Sequence, residues 1–188
     1  MNFLAHFYLA GESEELIIGN FLGDMIRKVE WPNFSSKIVE GIKMHQQIDY
    51  FTDSHKIVKQ HKKLLIAKHG HFSGVILDIF YDYFLAKNWD NHHNTSLPSY
   101  ANWVYQSLEK KESNYNKKAK TAFNHMKKYN WLMAYSSTDG IDQVLKGMAQ
   151  RTRFDSEMGN ALTDLQRHNS IYQDGFNEFF LELKNEFE

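Results

Sequence analysis

The chain has 188 residues, 42% hydrophobic and 15% aromatic, which points to one domain (1–188) able to bury its own core. It contains no cysteine, which excludes disulfides, thiolate zinc sites and cysteine nucleophiles and fits a reducing, cytoplasmic setting. The formal net charge of -1 gives no overall attraction to nucleic acid, and no run reaches the roughly 18–20 apolar residues that would insert into a membrane.

The opening Met1-Asn2-Phe3-Leu4-Ala5-His6 lacks a basic stretch before a long apolar run. It reads as a short helix carrying His6, not as a secretory signal. Residues 13–28 place Leu16, Ile17, Phe21 and Leu22 on one side, with Glu14 and Glu15 in the first turn, where the helix dipole favours acids. Trp31-Pro32-Asn33 breaks that helix. Ser35 or Ser36 caps the next one, with Glu40 placed for a capping box, and it is expected to run to Phe51. Thr52-Asp53-Ser54 reads as a second cap, opening a helix from His55 to Gly70. Residues 72–89 are apolar around most of the circumference, the pattern of a central helix. After a polar loop at 90–96, Pro98 sits where a first-turn proline belongs. Helices are expected at 99–112, 116–134, 139–151 and 156–186, the last breaking near Asp174-Gly175. No alternating run is long enough for a strand, so the fold class is an all-α, single-domain helical bundle.

Acids and histidines interrupt three apolar stretches. His45, Asp49 and Asp53 follow at i, i+4 and i+8 on one helical stripe, and Asp78 and Asp82 repeat that spacing on the central helix. Asp24 follows Gly19 and Gly23, whose small size lets helices approach closely. A buried carboxylate requires a partner, and a metal ion satisfies several at once. Imidazole mixed with carboxylate suits Mn²⁺, Fe²⁺ or Zn²⁺ better than calcium. Each acid also has a plain structural alternative as a helix cap or as partner to Lys or Arg, and Asp53 fits a cap best. Lys56, Lys59, Lys62 and Lys63 form a stripe beyond Asp53, readable as a solvated face or as an anion-binding flank. Arg151 and Arg153 suit bidentate phosphate binding or helix capping. Serine-hydrolase elbows and P-loops are absent from the sequence.

Several segments together resemble the acyl carrier protein phosphodiesterases: the opening Met-Asn-Phe-Leu-Ala-His; Gly19-Asn20-Phe21-Leu22-Gly23-Asp24; Gly41-Ile42-Lys43-Met44-His45 with Ile48-Asp49 and Thr52-Asp53; Leu77-Asp78-Ile79-Phe80-Tyr81-Asp82; and Gly147-Met148-Ala149 with Arg151. The resemblance implies an enzyme that hydrolyses the 4′-phosphopantetheine arm from acyl carrier protein and is distantly like the HD phosphohydrolases. It implies a divalent cation, manganese first, with Mg²⁺ or Fe²⁺ as alternatives. His6, Asp24, His45, Asp49 and Asp82 are the implied metal set, with Asp24, His45, Asp49 and Asp82 catalytic and Asp53 and Asp78 as further members. Arg151, Arg153, Lys56, Lys59 and Lys63 are the residues expected to bind phosphate or the acidic carrier. Two departures stand out: Gln46-Gln47 where many relatives have arginine, and Asp82-Tyr83-Phe84 where many have Asp-His-Phe. The first keeps open a related hydrolase with a small phosphoester substrate, and a non-catalytic module binding a carrier or lipid is the remaining alternative.

Overall fold

Helix α5 (Ser73–Lys87) is the centre of the molecule: Ile76, Leu77, Ile79, Phe80, Tyr81, Phe84 and Leu85 are all fully buried. The computed structural model describes residues 2–152 and 156–187. Around α5 stand α1 (Phe3–Leu9), α2 (Glu14–Leu22), α3 (Ser36–Ser54), α4 (Lys56–His69), α6 (Leu97–Glu109), α7 (Lys117–Lys128), α8 (Trp131–Ala134), α9 (Thr138–Ala149), α10 (Leu162–Arg167) and α11 (Asn169–Phe187). The described residues contain no strand, and every helix contributes to one buried apolar cluster. Among them, no helix is long and apolar enough to cross a membrane.

Local chemistry sets the helix limits. Ser13 and Ser35 cap α2 and α3, accepting from the Leu16 and Ile38 amides. Glu40 does not close a capping box; its carboxylate takes the Lys37 ammonium at 2.9 Å. Helix α2 stops at Leu22, short of residue 28, and α3 continues through Asp53 to Ser54. The cap of α4 is therefore His55, whose ring accepts from the Ile57 amide, and not the Thr52–Ser54 segment. Asn130, left-handed at φ 44°, splits the expected 116–134 helix into α7 and α8. The C-terminal break falls at His168 rather than Asp174-Gly175. Gly175 lies inside α11 for a packing reason: a Cβ there would sit 2.5 Å from the His61 ring.

The tightest approach is α2 across α3. Gly19 and Gly41 face each other there, and a Cβ on Gly19 would lie 2.6 Å from the Gly41 Cα. Helix α1 is fixed differently. It has seven residues, and the Asp82 carboxylate of α5 accepts from the Leu4 amide (2.8 Å) and the Ala5 amide (3.2 Å), supplying the anion its N-terminus needs.

Burial raises the Asp82 carboxyl to about 7, while those two amides oppose the shift. A folded value above the unfolded one makes its contribution to stability complete below about pH 4, and it is lost as pH rises through 7. Thermal melts from pH 4 to 8 are expected to show this loss in the wild type and not in Asp82→Asn. Parallel pH profiles for the two proteins would exclude Asp82 as its source.

Candidate metal centre

His45 and Asp49 stand one turn apart on the inward side of α3, and α1 delivers His6 to meet them. Asp49 lies between the imidazoles: Oδ1 is 3.1 Å from His6 Nε2, and Oδ2 is 3.1 Å from His45 Nε2. The rings stack with centroids 4.1 Å apart and planes 18° from parallel. One donor atom from each of the three residues falls within a 4.8 Å cluster. Asp24, at the end of α2, brings Oδ2 to 3.5 Å from His45 Nε2 while its side chain stays 78% exposed, so it stands at the open side. Gly23 makes this possible, because a Cβ there would collide with the His45 ring.

The hydrogen-bond pattern fixes the His6 tautomer. Asn20 Nδ2 donates to the Leu16 carbonyl at 3.1 Å, so its Oδ1 faces His6 Nδ1 at 3.2 Å and accepts from an N–H there. Burial lowers His6 to about 4, against the opposing effect of Asp49. At neutral pH its Nε2 is therefore a bare lone pair aimed at a carboxylate oxygen. Two electron-rich atoms 3.1 Å apart fit a cation between them. His45 Nε2 is approached by the Asp24 and Asp49 carboxylate oxygens, so a cation shared among them would meet this nitrogen and not the opposite Nδ1, which is buried without a hydrogen-bond partner.

The electrostatics agree. Burial disfavours the His45 cation, yet Asp24 and Asp49 outweigh it and raise the ring to about 9. Burial would raise the Asp49 carboxyl, but the two imidazoles hold it far below the usual carboxylate range. Asp24 is lowered, chiefly by its interaction with His45. These carboxylates demand positive charge, and the mixed oxygen and nitrogen donors suit a first-row divalent ion. Asn20 is an outer partner that orients a donor, so Asn20→Ala is expected to weaken Mn²⁺ binding about 10–100-fold with the fold intact. Titration calorimetry showing unchanged affinity would reject that role.

Asp82 does not join this set, because both its oxygens are taken by the α1 backbone and serve the helix that carries His6. Asp78, half-buried on α5, has its carboxyl raised by burial, with the Asp49 charge as a smaller cause, but it lies outside the cluster. Asp53 is exposed and paired with Lys62 at 2.6 Å, so it is neither a cap nor part of the cluster. In the lysine stripe, Lys56 pairs with Glu178, while Lys59 and Lys63 are exposed on α4. Arg151 donates Nε–H to the Gly147 carbonyl at 2.9 Å and lays its guanidinium 5.7 Å from the Trp131 ring centroid. Arg153 lies outside the described residues.

Spacing does not single out Asn20; its signal is a carboxamide inside the apolar run from Ile17 to Leu22. A second group, buried His69 Nε2 and exposed Lys68 Nζ each 2.9 Å from Oδ2 of buried Asp164, ties α4 to α10 and joins residues too far apart in sequence for spacing to pair them.

Comparison with known proteins identifies the family. Residues 1–183 match the family model described as acyl carrier protein phosphodiesterase. A protein of that name from Photorhabdus laumondii is 32% identical over 96% of this chain and 91% of its own length. Others so named from Yersinia pestis (28% identical, 96% of this chain and 94% of its own length) and Yersinia enterocolitica (30%, 89% and 88%) are similar to it as well. No solved structure matches the chain at comparable significance. With a match across almost its entire length and a histidine–aspartate centre built from the segments that carry the likeness, the chain belongs to the acyl carrier protein phosphodiesterase family.

Proposed function

We propose that this protein hydrolyses the phosphodiester joining 4′-phosphopantetheine to the serine of holo-acyl carrier protein, using a divalent cation held by His6, His45 and Asp49. The convergence of those three donors carries the reading. A cation bound there supplies charge to polarise a phosphoryl oxygen and to activate water as the nucleophile. Asp49 holds both imidazoles in register, and the Asn20 contact keeps His6 Nδ1 protonated so that Nε2 remains a donor. Asp24, ionised and at the open side, is placed to accept a hydrogen bond from the attacking water and to take its proton. The water oxygen bonds to phosphorus, the bond to the serine oxygen breaks, and that oxygen takes a proton from solvent water while Asp24 returns its own to solvent. The products are apo-carrier and 4′-phosphopantetheine.

Manganese is the proposed ion, with Mg²⁺ or Fe²⁺ able to occupy the same mixed donor set. Histidines and aspartates brought together from separate helices also support a distant relation to the HD phosphohydrolases. Lys59 and Lys63 are the members of the stripe left to meet an acidic carrier, an attraction that governs association rate and specificity. The test is intact mass of holo-carrier incubated with chelated protein, with and without Mn²⁺. Loss of the phosphopantetheine mass only with the metal is the expected result. An unchanged carrier in the presence of metal-loaded protein rejects the reading.

A further inference from the structure

Three members of the centre, His6, His45 and Asp49, sit inside helices whose backbones fix where they point. Asp24 does not. Helix α2 ends at Leu22, and Asp24 belongs to the turn after it. The Leu22 carbonyl closes that turn, accepting from the Met25 amide at 2.8 Å and the Ile26 amide at 3.2 Å. The carbonyls of Asp24 and Met25 lie past the end of α2 and take their donors from elsewhere.

Helix α7 supplies both. Lys118 Nζ donates to the Asp24 carbonyl at 2.6 Å, and Asn116 Nδ2 donates to the Met25 carbonyl at 3.0 Å. Asn116 is fully used: its second N–H meets Glu30 Oε1 at 3.0 Å, and its Oδ1 caps α7 by accepting from the Ala119 amide. Glu30 accepts in turn from the Arg27 amide at 2.7 Å, so the stretch from Asp24 to Glu30 is gathered onto the start of α7. This attachment is anchored in the core. Tyr115 and Phe123, on either side of it, hold their rings 5.4 and 6.2 Å from that of Phe21, three residues before Asp24. The Tyr115 hydroxyl also donates to the Leu108 carbonyl at 2.8 Å.

We infer that Asn116 and Lys118 are positioning residues: by holding the Asp24–Met25 backbone they aim the Asp24 carboxylate at the open side of the centre. The inference rests on the hydrolytic reading, in which Asp24 takes the proton of the attacking water, and adds to it the two side chains that keep this base in place. Among the described residues the carboxylate itself meets only His45 Nε2, at 3.5 Å, and that nitrogen is shared with Asp49. The backbone contacts therefore set its aim, and a misplacement of about 1 Å costs rate on the order of 100-fold. A lysine that met the acidic carrier directly would act on KM; one that positions Asp24 acts on kcat.

The test is steady-state cleavage of holo-carrier by the full Mn²⁺-loaded protein, read by intact mass, for Lys118→Met, Asn116→Ser and the two combined. Serine keeps a capping hydroxyl for α7 but not the reach to Met25. The expected result is a kcat about tenfold lower in each single variant and up to about 100-fold lower in the double, with KM, Mn²⁺ affinity and Tm close to wild type. Lys118→Arg is expected to restore most of the rate. Lys120→Met, which removes an exposed charge from the same helix, is expected to leave kcat and KM unchanged. Added to Asp24→Asn, whose residual turnover is followed over long incubation, Lys118→Met is expected to cost nothing further, because the two act as one unit. An unchanged kcat in the double variant overturns the inference, as does a rise in KM alone, a loss that multiplies with that of Asp24→Asn, or an equal loss in Lys120→Met. A fall in Tm and Mn²⁺ affinity together with rate overturns it in favour of a purely structural role. Should the double variant not fold, Lys118→Met, which removes one exposed contact, decides by the same criteria. Wild-type protein that cleaves no carrier rejects the hydrolytic reading and this inference with it, whereas the outcomes above reject the inference alone.

Discussion

Asp49→Asn is expected to abolish the manganese response of this protein. Asparagine keeps the shape of the side chain but removes the charge, and it turns one of two acceptor oxygens into an N–H₂ group. With its N–H₂ turned to the His6 Nε2 lone pair and its oxygen to His45, the amide occupies the His6 donor with a hydrogen bond and offers a cation one neutral oxygen in place of a charged carboxylate. The loss in affinity is expected to exceed the roughly 10–100-fold that an outer partner is worth. Ligand at a hundred times its Kd adds about 2.7 kcal/mol to stability. For a chain of this size, that corresponds to a rise in Tm of roughly 5–10 °C in the wild type. The variant is expected to show almost none of that rise and to leave holo-carrier intact. An unchanged Mn²⁺-dependent rise in Asp49→Asn would remove this residue from the metal set.

Gly41→Ala is expected to give a large loss of stability from a single methyl group. Its Cβ would lie 2.5 Å from the Leu16 carbonyl oxygen and 2.9 Å from the Gly19 Cα. Both obstacles are backbone, so no rotamer change relieves them and the helices must separate. Overpacking costs about 1–3 kcal/mol, and a backbone clash belongs at the upper end. A fall in Tm of roughly 6–12 °C follows for about 3 kcal/mol. The damage also reaches the metal centre, because α2 carries Asn20 and leads to Asp24, while α3 carries His45 and Asp49. Gly74→Ala is the control: its Cβ would meet only the flexible end of Lys62, at 3.5 Å, and helix propensity favours alanine by up to about 1 kcal/mol. Equal melting temperatures for the two variants would show that the crossing is not the constraint.

The all-helical architecture was legible because apolar periodicity is a local property, and the central helix stood out from its sequence alone. Helix ends were less legible where the deciding contact is distant. Gly175 looked like a break, yet it is required inside α11 by His61, more than a hundred residues away in sequence. Asp53 looked like a cap because the sequence does not reveal that Lys62 would take its carboxylate. In the candidate centre, the i, i+4 pair of His45 and Asp49 was readable from spacing, and His6 from its place in a short apolar N-terminal helix, while the family likeness put the three in one set. Asp82 shows the opposite outcome: its place in an apolar helix announced a buried carboxylate but not its partner, which proved to be two amides of α1. Asn20 went unread because an outer partner is defined only by the donor it orients.

The amides of Leu4 and Ala5 find their acceptor in a side chain 78 and 77 residues further along the chain. A seven-residue helix is too short to persist alone in water. Helix α1 therefore winds only once α5 has docked, late in the order in which the chain acquires structure. His6 arrives with it, so a refolding chain is expected to gain most of its helical signal before it gains affinity for manganese.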